Sequence, residues 1–172
     1  MDFLTLAKER YSVRKLDSRP VEREKIDKIL AAGMAAPTAC NNQPFHIWVM
    51  QSKEALEKVA ETTRFPFVKE APVVFVIGGH PGEAWKRGFD GRSFVDVDAS
   101  IVATHMMLEV HDLGLGTTWV GSFDPDKLKG FFPQMEGYEL TCLFGVGYPA
   151  ADAVPADGHA ASKGKEELVT VL

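Results

Sequence analysis

The sequence is poor in cysteine, in long apolar runs and in positive charge. Cys40 and Cys142 are the two cysteines among 172 residues. They stand far apart and form no CxxC pair, which excludes a disulfide scaffold and predicts a reducing, cytoplasmic location. No apolar run approaches the roughly 18 residues needed to span a bilayer. The opening MDFLTLAKERYSVRK carries its charges after a short amphipathic stretch and lacks a small-residue cleavage site, so it is not expected to act as a secretory signal. Nineteen Lys and Arg face 24 Asp and Glu, for a net charge of −5. General nucleic-acid or anionic-membrane binding would need a basic footprint, and is not expected. There is no GxxxxGK[ST] phosphate loop, no HExxH and no GxSxG. Gly114-Leu115-Gly116 precedes a strand and lacks the third glycine of a dinucleotide fingerprint. His105 and Glu109 stand four apart on a helix with His111 close by, but a metal site needs three convergent ligands, so no metal is expected.

What is present is ordinary for a globular protein: 45% apolar and 25% charged residues. The length predicts one domain over residues 1–172. Apolar spacing predicts helices over 2–10, 22–36, 53–62 and 95–113, and a short one from an Asp124 N-cap to Lys129. Strands are predicted over 45–50, 72–77, 117–120 and 140–146, with a turn over 11–20 and an irregular, aromatic-rich stretch over 83–94. The run 72–77 is continuously β-branched or aromatic, as in a strand covered on both faces. The helix over 95–113 is apolar on more than one face, which suits a core or a subunit interface. Residues 150–164 are small and polar, and the apolar end 168–172 needs something to pack on; a partner subunit would serve. Strands alternate irregularly with helices, which points to an α+β fold.

Two stretches carry candidate chemistry. Arg10-Tyr11-Ser12-Val13-Arg14-Lys15 sets two guanidinium groups and a hydroxyl where they can converge on one phosphate. Pro37-Thr38-Ala39-Cys40-Asn41-Asn42-Gln43-Pro44 offers three adjacent side-chain amides between prolines, suited to a heterocycle with an imide edge and a polyol chain. Cys40 is expected to be a small packing residue.

The order RYSVRK, APTACNNQPF and GLGTTWVGSF resembles the nitroreductase family of FMN-dependent oxidoreductases over nearly the whole chain. The resemblance implies an α+β sandwich, with a mostly antiparallel central sheet flanked by helices, in an intertwined homodimer. It implies that residues 150–172 form a tail reaching the partner subunit, and that FMN lies at the subunit interface. Arg10, Ser12 and Arg14 match the phosphate-contacting motif, with Tyr11 implied through its backbone. Pro37, Thr38, Ala39, Asn41 and Gln43 match the loop that approaches the flavin, which in the family comes partly from the neighbouring subunit. Trp119, Val120, Gly121 and Ser122 match the strand end flanking the ring, where a backbone N–H would face N5. Lys163 and Lys165 fall where the family has a late basic pair; lysine keeps the charge and loses the bidentate fork of arginine. Arg64 aligns with a contact to the ribityl or phosphate end.

The resemblance further implies a two-step cycle in which NADH or NADPH gives hydride to the flavin and a nitroaromatic, quinone or similar conjugated acceptor then takes its place. No side-chain catalyst is expected, because the cofactor carries the chemistry. Phe65, Phe67, Trp85, Phe89 and Phe94 are candidates for gripping a planar substrate. The alternatives are a flavin-binding or redox-sensing protein without turnover, and a flavin enzyme for oxygen activation, dehalogenation or fragmentation.

Overall fold

Every residue of the segment Val73–Gly79 is buried, and successive side chains enter different cores. Val73, Phe75 and Ile77 join one cluster, while Val74 and Val76 join the other. This is the period-two geometry of a strand covered on both faces. It sets the architecture of the computed structural model, which describes residues 2–172.

The elements run α1 (Phe3–Glu9), α2 (Arg23–Met34), β1 (Phe45–Met50), α3 (Lys53–Ala60), α4 (Pro66–Glu70), β2 (Val73–Gly79), α5 (Val95–Asp112), β3 (Gly116–Val120), α6 (Pro125–Phe131), β4 (Glu139–Gly147) and α7 (Lys165–Leu168). The four strands form one antiparallel sheet in the order β1-β2-β4-β3. One face packs on α2 and α5 through Ile26, Ile29, Ala99, Val102 and Met106 against Phe75 and Phe144. The other face is covered by α3, α4 and α6 through Val59, Phe67, Val68 and Leu128 against Trp48, Val76 and Leu143. The expected α+β sandwich is the fold observed.

Three features differ from the sequence reading. Residues 11–17 are extended rather than a turn, because Ser12 bridges Thr117 and Leu16 bridges Pro149, giving the sheet an irregular outer margin. Strand β2 continues through Gly78 and Gly79, two residues past the predicted end at 77. The pairing slips by one residue there, and a Cβ on Gly78 would stand 2.4 Å from the Glu139 carbonyl oxygen, so only glycine fits the close approach. The five-residue α4 and four-residue α7 are too short to show a helical period.

Candidate functional site

Helix α1 is capped at its start by Asp2, whose side chain accepts the Thr5 N–H at 3.1 Å. It ends where Arg10 turns extended, at φ −58° and ψ 127°. The chain then runs along the free edge of β3. The Val13 N–H donates to the Thr117 carbonyl at 3.0 Å, and the Thr118 hydroxyl donates to the Val13 carbonyl at 2.7 Å. Val13 and Leu16 are buried, and Arg14 and Lys15 face solvent.

Among the described residues neither Arg10 nor Arg14 has a carboxylate partner; the Arg14 guanidinium makes one long bond, 3.4 Å, to the Ser12 carbonyl. Ser12 and Arg14 line a groove of about 390 Å3, closed on its other side by residues 152–157. Lys15 is already engaged with Asp152 at 2.5 Å, which holds the Asp152 carboxyl below its usual range. Tyr11 is half-buried, with its hydroxyl 3.5 Å from the Ala153 carbonyl.

Trp119–Ser122 closes the same edge. Trp119 packs edge-on against Phe144 at 5.5 Å, Val120 is buried, and Gly121 and Ser122 are exposed. The Ser122 carbonyl accepts the Thr63 hydroxyl at 2.9 Å, which brings the neighbouring Arg64 to this side of the molecule. Thus Arg10, Tyr11, Ser12, Arg14, Arg64, Trp119, Val120, Gly121 and Ser122 share one end of the sheet order.

The amide loop stands at the other. Residues 37–44 lead into β1, the opposite edge strand. With strands about 4.8 Å apart, three spacings set the two edges roughly 14 Å apart. Within one chain the loop and the arginines therefore do not meet. The loop is held in an unusual shape: Cys40, Asn41 and Gln43 have φ of 53°, 54° and 50°. Such left-handed conformations are disfavoured for residues with a Cβ, asparagine least so. The Gln43 N–H donates to the Thr38 hydroxyl at 3.0 Å, and the Gln43 side-chain amide donates to Asn41 Oδ1 at 3.1 Å. Asn41 and Gln43 are exposed, while Thr38 and Ala39 are half-buried.

The remaining expected residues divide. Lys163 and Lys165 are exposed on the tail and do not line the arginine groove. Phe65 and Phe67 stack at 5.4 Å, but Phe67 is buried in the second core, so it is a packing residue and does not line an open surface. Trp85 meets Phe94 edge-on at 4.8 Å. Both belong to the excursion 80–94, which is tied to the amide loop by Asn42 donating to the Glu83 carbonyl at 3.1 Å. Phe89 is fully exposed at the tip of that excursion, where Arg87 and Asp90 form a two-bond fork.

The sequence reading missed Asp98. It is 1% exposed, and its Oδ1 accepts the Ala39 N–H at 2.9 Å. The available signal was a carboxylate on the same helical stripe as Val95, Ala99 and Val102.

Comparison with known proteins agrees with this fold. The nitroreductase family pattern matches residues 7–64 and 60–148. A Methanothermobacter thermautotrophicus protein with the provisional name NADH dehydrogenase/NAD(P)H nitroreductase is 36% identical over 155 residues, covering 87% of this chain and 78% of that protein. The crystal structure of a nitroreductase family protein from Clostridium difficile 630 is 34% identical with a TM-score of 0.90, over 99% of this chain and 98% of that one. An FMN-dependent nitroreductase from Clostridium difficile R20291 is 25% identical with a TM-score of 0.76, over 94% and 98% of the two chains. With both sequence and fold in agreement over most of its length, the chain belongs to the nitroreductase family.

Proposed function

We propose that the chain is an FMN-dependent oxidoreductase that takes hydride from NADH or NADPH and passes it to nitroaromatic, quinone or similar conjugated acceptors, working as a homodimer. The observation that carries this reading is a pair of arginines, Arg10 and Arg14, that have no carboxylate partner among the described residues, with Arg14 and Ser12 lining a groove. Guanidinium forks match phosphate oxygens, and a monoester phosphate carries about −1.5 to −2 at neutral pH, which two arginines neutralise. FMN, when bound, supplies the hydride chemistry.

The chain's own residues bind and orient. Arg10, Ser12 and Arg14 hold the phosphate, with Arg64 adding charge and the tail of a second copy bringing either Lys163 or Lys165. Asn41 and Gln43 present amide donors and acceptors to the heterocycle, and the backbone at Trp119, Val120, Gly121 and Ser122 borders it. Pro37, Thr38 and Ala39 frame the loop, and Tyr11 contributes backbone. Phe65, Trp85, Phe89 and Phe94 flank the acceptor.

Because the loop and the arginines occupy opposite sheet edges, a complete site takes one edge from each of two copies. The outer face of α5 supports this arrangement. Asp96, Val97, Ser100, Ile101, Thr104 and His105 line a depression of about 510 Å3, and Phe3, which shares an adjoining hollow with His105, is 70% exposed. The tail's Leu168 and Val171 are exposed too, apolar ends suited to cover a partner. Among the described residues no helix is long and apolar enough to cross a membrane. Both cysteines are free thiols, in keeping with a reducing cytoplasm.

The test is the visible spectrum of the purified protein, followed by anaerobic titration with NADH and with NADPH. A flavin band that bleaches with either nucleotide is the expected result. Protein that stays colourless in excess FMN refutes the reading.

A further inference from the structure

The amide loop is fastened to the rest of the molecule by a buried carboxylate to which the reading above gives no role. Asp98 lies one turn into α5, 1% exposed. Its Oδ1 accepts the Ala39 N–H at 2.9 Å, and its Oδ2 is buried without a hydrogen-bond partner among the described residues. Burying a carboxylate and leaving half its acceptor capacity unused is unfavourable, so the group needs a reason to be there.

Ala39 opens the tight turn in which Cys40, Asn41 and Gln43 all take positive φ. Three left-handed residues in a span of four persist only when their surroundings over-determine them. Most of the loop's bonds are internal: Thr38 to Gln43, Gln43 to Asn41, and the turn's own backbone. These fix its shape but not its place. The bonds to other elements are Asp98 to Ala39, Asn42 to the Glu83 carbonyl, and the His80 N–H to the Pro44 carbonyl at 2.8 Å. Asp98 is the buried, charged member of that set, and it anchors the residue immediately before the left-handed pair.

We propose that Asp98 is a positioning residue: its carboxylate, through the Ala39 N–H, holds the left-handed loop so that Asn41 and Gln43 face the bound cofactor. This rests on the flavin role proposed above, but the hydrogen bond itself is testable without flavin.

The test uses the full chain with Asp98→Asn and Asp98→Leu. Asparagine keeps an oxygen for Ala39; leucine has similar bulk and no acceptor. Circular dichroism first establishes that each variant is folded. In the flavin-free protein, D98L should release the Ala39 amide to rapid hydrogen exchange and D98N should keep it protected. On titration with FMN, followed by flavin fluorescence, D98L should weaken binding about tenfold or more, the loss expected for one bond to a charged acceptor. Its bound-flavin absorption band should relax toward that of free FMN, while D98N restores both. If D98L does not fold, Asp98→Ser, whose hydroxyl is too short to span to Ala39, is judged by the same criteria. Unchanged Ala39 protection and FMN affinity in D98L overturn the proposal, and so does a D98N variant as impaired as D98L. If the parent protein binds no FMN, the flavin reading falls, and amide exchange alone still decides whether Asp98 holds the loop.

Discussion

Replacing Gly116 by alanine should damage the candidate phosphate site without touching any of its polar groups. Gly116 opens β3, and a Cβ built on it would lie 2.7 Å from both Cβ and Cγ2 of Val13 and 2.9 Å from Cγ1. Ordinary contact begins near 3.4 Å, so the two chains must separate by about 0.7 Å. A rotamer change does not relieve this, because Val13 Cβ is bonded directly to its backbone. The segment carrying Arg10, Ser12 and Arg14 has to move, stretching the Val13–Thr117 and Thr118–Val13 hydrogen bonds of 3.0 and 2.7 Å. Overpacking of this kind costs about 1–3 kcal/mol. For a chain of this size each kcal/mol lowers Tm by roughly 2–4 °C. Thermal denaturation of the flavin-free protein should therefore show a fall of at least about 2 °C. FMN titration should show weaker binding from the displaced arginines. A G116A protein with parental Tm and parental FMN affinity would refute the packing argument.

Arg10→Ala with Arg14→Ala should give a protein of nearly parental Tm that purifies without flavin, since neither side chain has a carboxylate partner among the described residues to lose; parental flavin content contradicts the assignment. Deleting residues 168–172 should shift sedimentation toward the monomer, and an unchanged profile removes the tail from the interface. The Asp152 carboxyl, held down by its hydrogen bond and charge pairing with Lys15, should titrate by NMR below 3.8. A lowered carboxylate pKa stabilises the fold above its unfolded value and loses that effect as pH falls through the folded one. The Lys15–Asp152 pair should therefore persist at neutral pH and be lost as pH falls through the lowered Asp152 pKa, and an Asp152 midpoint no lower than that of an ordinary aspartate argues against the pairing. Burial pushes the Cys142 thiol pKa up, so Cys142 should resist thiol reagents until the protein is denatured, and its labelling in the native state would show that the core opens.

The elements most visible in the sequence were those whose pattern is set by a local environment. The strand at 45–50 alternates, β2 is apolar throughout because both faces are covered, and Asp124 caps α6 by accepting the Lys127 N–H at 2.9 Å. Features created by tertiary contact were not visible. The stretch 11–17 has no strand period of its own and is extended because Thr117 and Tyr148 supply its partners. Gly78 stays in β2 because a carbonyl from β4 comes so close. The arginine and amide motifs were legible as residue types at given spacings. Their placement on opposite sheet edges depends on strand order, which no single motif encodes. Asp98 escaped notice because its role depends on a loop 59 positions away in the chain.

The separation of the two edges has a genetic consequence. In the proposed shared site, a chain crippled at Arg10 and Arg14 still carries a sound amide loop, and a chain crippled at Asn41 and Gln43 still carries sound arginines. Pairing one of each assembles a single intact pocket and a single doubly broken one. Two inactive alleles expressed together should thus restore activity that neither yields alone.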